Sequence, residues 1–114
     1  GQLRVNPRNL EAVQHAMWAD VHEEGGTGWR AKIEGYAVCG KTGTAEVRSG
    51  GRRDKVTWFT SYAPYERPRY AVVVMIESGI SGGRTAPIAK KIFEALRDRD
   101  IELSRSPNGA LANN

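Results

Sequence analysis

Lys41-Thr42-Gly43-Thr44 is the stretch of this sequence whose residue types and spacing could do chemistry. The lysine offers a cation suited to a carboxylate. The two threonines offer hydroxyls that donate or accept, and the glycine between them lets another backbone come close. On the outer strand of a sheet, such a stretch would present unpaired N–H and C=O groups, to which an extended peptide can add as a further strand. A Lys-Thr-Gly triplet alone would serve equally as a strand with a bulge, which interior glycine often marks. The residues around it decide. Gly40 precedes it and Ala45-Glu46-Val47 follow, then Trp58-Phe59 and Tyr62-Ala63-Pro64, then Glu77 and a glycine loop that opens into Thr85-Ala86-Pro87-Ile88-Ala89.

The elements that must position this stretch are legible from spacing. Asn6 suits an N-cap and Pro7 the first helical turn. Leu10, Val13, Met17 and Val21 recur at helical spacing, and Gly25-Gly26 stop the pattern, so a helix is expected from Pro7 to Glu24. Gly25 to Gly35 reads as a turn-rich connector. Three strands follow. Tyr36 to Val47 carries the motif. Lys55 to Ala63 alternates Val56, Trp58, Thr60 and Tyr62 with Thr57, Phe59, Ser61 and Ala63. Arg69 to Glu77 holds the unbroken run Ala71 to Ile76, which predicts burial on both faces of a sheet. The links 48–54 and 64–68 are of hairpin length, so the strands form an antiparallel meander. After the glycines of 79–83, Thr85 is expected to cap a second helix, with Pro87 in its first turn and Ile88, Ala89, Ile92, Phe93 and Leu96 on its apolar face. Arg97 to Asp100 mark its solvated end, and residues 101–114 read as a polar, disordered tail. The fold class is α+β: a three-stranded antiparallel meander between an N-terminal and a C-terminal helix.

Composition narrows the function without naming it. The 114 residues allow one small domain, and 17 Lys and Arg against 13 Asp and Glu give a charge of +4. No stretch approaches the roughly 18 apolar residues of a membrane span, and no signal or transit peptide is visible. His15 and His22 lie near one face of the first helix without a third ligand, so they read as exposed helix histidines; no metal or organic cofactor is called for. Cys39 reads as a small packing residue, since no histidine is placed to activate it. Trp18, Trp29 and Trp58 read as core or cleft wall. Arg48, Arg52, Arg53 and Lys55 form a basic hairpin loop without the interleaved aromatics that nucleic acid would want, so no nucleic-acid partner is expected.

Taken in order, the motif and its accompanying segments resemble the C-terminal portion of the transpeptidase domain of penicillin-binding proteins, most closely the class B, elongation-type branch. The resemblance covers about residues 5 to 98, and Lys-Thr-Gly is one of that superfamily's three signatures. It implies that Lys41 anchors the carboxylate of a peptide or β-lactam and joins the proton-relay network. It implies that Thr42, Gly43 and Thr44 bind substrate, and that the Thr44 N–H is half of an oxyanion hole. It also implies two further strands beyond Arg69 to Glu77, with the helices on opposite faces of the sheet.

The other two signatures are not found. Ser49, Ser61, Ser78, Ser81, Ser104 and Ser106 are followed three positions on by Arg52, Pro64, Ser81, Arg84, Pro107 and Gly109, never by lysine. The one Ser-x-Asn, at Ser106, falls after the Lys-Thr-Gly instead of before it. The chain is therefore expected to supply one third of an active site, to lack the nucleophile and to be inactive alone. Residues 1–100 would be the C-terminal part of the domain. The parent would cross-link peptidoglycan stem peptides by serine acyl transfer, bind β-lactams at the same serine, and work with cell-wall elongation proteins. It would be anchored in the bacterial inner membrane, with this domain in the periplasm or outside the membrane. The alternatives are a β-lactam sensor or D,D-carboxypeptidase and, from another class, a small basic nucleic-acid-binding module. The apolar edge of residues 69–77 is expected to self-associate.

Overall fold

The computed structural model describes residues 1–77 and 84–106. Helix α1 spans Pro7–His22, with Asn6 as N-cap: its side-chain oxygen accepts the Arg8 N–H at 2.9 Å, and Pro7 occupies the first turn. A single 3-10 turn, Trp29–Ala31, interrupts the connector. Strands β1 (Cys39–Ser49), β2 (Arg52–Ala63) and β3 (Tyr70–Glu77) follow, and helix α2 runs Thr85–Arg105.

The sheet is an antiparallel meander in the order β1-β2-β3. Ser49 pairs with Arg52, so the β1–β2 hairpin turns on Gly50-Gly51 alone. Their φ values of 59° and 79° are the two positive angles that a tight hairpin turn of this hand requires. Directly opposed residues share a face. Gly40, Thr42 and Thr44 of β1 therefore lie with Ser61, Phe59 and Thr57 of β2, and these with Val72, Val74 and Ile76 of β3. That face carries the core. Phe59, Ala63 and Val74 pack with Ala86, Ala89 and Phe93 of α2, with Ala31, Ile33 and Val38 from the connector, and with Val21 of α1. Ser61 spends its buried hydroxyl on the Val72 carbonyl, 2.7 Å away.

Several expectations need correction. β3 is buried on one side only. Its residues alternate along the strand, and Val73 and Met75 are 65% and 61% exposed. The reason is placement: α2 lies on the core face of β2 and β3, whereas α1 packs against β1 and the 3-10 turn and leaves the other face of β3 uncovered. The apolar stripe of α1 is mostly open as well, with Leu10 and Val13 exposed and only Val21 in the core. In α2 the buried side is Thr85, Ala86, Ala89 and Phe93, while Ile88 and Ile92 are exposed. Thr85 is the first helical residue and Arg84 the cap. The helix continues through Arg105, so residues 101–105 are helix and not tail. Asp100 gives that extension a hold: it accepts from the Tyr70 hydroxyl at 2.7 Å and pairs with Arg69 at 3.4 Å. The glycine loop of 79–83 and residues 107–114 lie outside the described residues.

Candidate peptide-binding edge of the sheet

β1 is an outer strand, so every second residue along it carries N–H and C=O groups without a ladder partner. Two of its glycines explain how so polar a strand stays flat against β2. The position a Gly40 Cβ would take is filled by the ring of Phe59, and that of Gly43 by the indole of Trp58, each well inside contact distance. Each ring reaches across from β2 and lies over the glycine backbone. A side chain at either position would push an aromatic away. The glycine of Lys-Thr-Gly thus makes room for the Trp58 indole on one side of the strand, a reason that the sequence pattern does not reveal.

The structure brings the expected site residues together on this edge. Lys41 is exposed on the face opposite the core, and its ammonium donates to the Thr42 carbonyl at 3.0 Å. Thr44 is exposed, and Thr42 is half-buried. The Thr42 hydroxyl lies 2.6 Å from that of Thr27, which stands in the connector after α1. The Thr27 hydroxyl donates to Asp20 Oδ1 at 2.8 Å, and the Thr27 N–H donates to the same oxygen at 3.0 Å. Asp20 and Thr27 were not singled out from sequence. The available signal was Gly26-Thr27-Gly28, a threonine between two glycines where backbone must pack closely.

Other candidates take packing roles. His22 is half-buried and not exposed: its Nε2 lies 2.8 Å from the Val38 carbonyl and must carry the hydrogen, since a carbonyl only accepts. Its ring stacks on Trp18, with centroids 5.0 Å apart. Trp29 is 59% exposed and is not core. Cys39 is fully buried at the start of β1, and burial pushes its thiol up to about 11. Burial likewise raises the Tyr62 hydroxyl, which donates to the Gln14 carbonyl at 3.4 Å. Among the described residues no group of three or more His, Cys, Asp or Glu could hold a metal ion, and no helix is long and apolar enough to cross a membrane.

A helix-backed antiparallel sheet whose outer strand carries a lysine and two threonines belongs to the class of α+β sheets with one open, polar edge. Within that class the comparisons are specific. Residues 1–94 match the family described as penicillin binding protein transpeptidase domain, and the chain belongs to it. It is 35% identical over 98 residues to the peptidoglycan D,D-transpeptidase MrdA of Haemophilus influenzae, covering 74% of this chain and 15% of that protein. It is 36% identical over 98 residues to penicillin-binding protein PbpB of Mycolicibacterium smegmatis, covering 75% and 15%. Among solved structures, the D,D-transpeptidase domain of a peptidoglycan glycosyltransferase from Eggerthella lenta superposes with a TM-score of 0.58 at 38% identity, over 75% of this chain and 19% of that one. Penicillin-binding protein 2B of Streptococcus pneumoniae gives 0.68 at 19% identity, over 87% and 17%, a likeness of fold alone. The chain spans about 15% of the length of the curated relatives it matches. The resemblance to class B penicillin-binding proteins holds, and so does the α+β fold class.

Proposed function

We propose that this chain is the Lys-Thr-Gly-bearing part of a serine-type D,D-transpeptidase that cross-links peptidoglycan stem peptides and is acylated by β-lactams. The observation that carries the reading is the open edge of β1, where Lys41 and Thr44 are exposed beside the Thr42 hydroxyl. Lys41 holds the carboxylate of the peptide or β-lactam. Thr42 and Thr44 supply hydroxyls, Gly43 keeps the strand flat under Trp58, and the Thr44 N–H supplies one oxyanion donor. Ser49 and Arg52 flank the two-residue turn as a hydrogen-bonded pair, so Thr42, an odd number of residues away, turns its carbonyl off the ladder, where Lys41 reaches it. Thr44, two residues along, turns its backbone groups to the same side. The serine and its lysine come from elsewhere in the parent, which is anchored in the inner membrane with this domain outside it and works with other cell-wall elongation proteins.

The test is acylation by a fluorescent penicillin. In the full-length protein, Lys41→Ala lowers the acylation rate by about a hundredfold or more, since it removes the cation that orients the ligand's carboxylate. Survival within a factor of about two would remove Lys41 from the mechanism. The 114-residue chain alone forms no covalent adduct, and a stoichiometric mass shift on it would contradict the reading.

A further inference from the structure

The hydroxyl at the middle of the Lys-Thr-Gly triplet is not held by its own strand. Thr42 Oγ1 rests against Thr27 Oγ1 at 2.6 Å, and Thr27 is held by Asp20 at the end of α1. The directions of these bonds follow from counting protons. An ionised carboxylate accepts only, so the Thr27 hydroxyl proton goes to Asp20 Oδ1. Thr27 then has no proton left for the 2.6 Å contact, and Thr42 must donate to it. The Thr42 hydroxyl proton is thereby committed to Thr27, and toward any other group Thr42 Oγ1 can only accept.

Two observations set this chain of bonds apart from chance contacts at a surface. Asp20 Oδ2 is buried with no hydrogen-bond partner, an arrangement that disfavours a carboxylate unless its other oxygen is well used. The connector is also shaped to hold the pair in place. The Gly28 N–H donates to the Asp20 carbonyl at 3.1 Å, and a Cβ on Gly28 would come within 2.8 Å of Asp20 Oδ2. The Gly26-Thr27-Gly28 loop thus wraps the last turns of α1 and delivers one side chain, Thr27, to the site strand.

We propose that Asp20 and Thr27 are positioning residues of the transpeptidase site: a relay that sets the place and the hydrogen direction of the Thr42 hydroxyl before a ligand arrives. The inference rests on the reading of the β1 edge as the ligand-binding strand. Neither residue touches substrate; both act through Thr42.

The experiment measures β-lactam acylation of the full-length protein, split into the ligand dissociation constant and the acylation rate constant, for variants singly and in pairs. Thr27→Val removes the acceptor and is expected to weaken ligand binding about tenfold with a smaller change in the rate constant. Thr27→Ser keeps the hydroxyl and recovers most of that loss, which a role in packing alone would not give. Because Thr27 acts through Thr42, the Thr27→Val/Thr42→Val double variant is no worse than Thr42→Val. Thr27→Ala, which adds no volume, replaces Thr27→Val if the latter does not fold. The relay is overturned if Thr27→Val and Thr27→Ala bind ligand within twofold of the unaltered protein while Lys41→Ala is impaired, or if the losses at Thr27 and Thr42 multiply. If Lys41→Ala and Thr42→Val both acylate normally, the reading of the edge fails and the relay fails with it.

Discussion

β1 and β3 are the two outer strands of one sheet, and they treat exposure in opposite ways. β1 is polar along its open side, with Lys41, Thr44 and Glu46 exposed, yet its backbone is clamped: rings from β2 fill the space over Gly40 and Gly43. β3 is apolar through Ala71 to Ile76, and every second side chain faces outward without cover. A strand that receives a ligand must be rigid where it meets the sheet and soluble where it is open. On the proposed reading, β1 meets both demands by drawing its packing from β2 and keeping Lys41, Thr44 and Glu46 at its open side. β3 does the reverse, packing well against α2 on one face and leaving a sticky surface on the other.

The strongest way to break this contrast is at the clamp. Phe59 is fully buried, so a methyl group at position 40 meets a ring with nowhere to go. Gly40→Ala should destabilise the fold by about 3 kcal/mol, the upper end of the range for overpacking. Trp58 is half-buried and can swing toward the uncovered face, so Gly43→Ala should be milder, about 1 kcal/mol. Thermal unfolding of both variants checks the order. Equal losses would mean that the two rings are held alike and that β1 has no tolerant position.

The next effect concerns β3. An apolar outer strand with Val73 and Met75 exposed is a template for pairing with a second copy. Sedimentation of the 114-residue chain at high micromolar concentration should show dimers or soluble aggregate. Val73→Lys, which places a charge at the centre of that surface, should shift the population toward monomer with a change in stability under about 0.5 kcal/mol. A folded monomer without the substitution would show that the edge is already protected.

The contrast also explains what could be read from sequence. The two helices, the three strands and the face of β2 that points inward follow from local spacing, and Asn6-Pro7 marks a helix start through its own hydrogen bond. Lys41, Thr42, Gly43 and Thr44 are adjacent in the chain, so they are also adjacent on the edge. What was illegible depends on partners distant in sequence. The run Ala71 to Ile76 shows that both faces of a strand would favour burial, but not which element covers them; α2 covers one and nothing described covers the other. The same holds for Leu10 and Val13, whose helical spacing is clear and whose stripe lies open. Asp20 and Thr27 are seven residues apart, and Thr27 and Thr42 fifteen; only the fold brings them into line.

The last prediction concerns Cys39, at the point where β1 passes from packed to open. Its thiol is fully buried, and burial moves its pKa from 9.0 to about 11. At neutral pH the thiol is protonated in both folded and unfolded chains, so ionisation contributes no stability there. As pH rises from 9 toward 11 the unfolded chain loses its proton first, and the folded state, which binds the proton more tightly, loses stability over that window. The same burial keeps the thiol inert. Two units of pKa lower the thiolate fraction at pH 8 by about a hundredfold, before any shielding by the surrounding side chains is counted. Alkylation by iodoacetamide at pH 8 should therefore be at least about a hundredfold slower in the native chain than in denaturant. Comparable rates would mean that the start of β1 opens readily, and that the clamp on this strand begins only at Gly40.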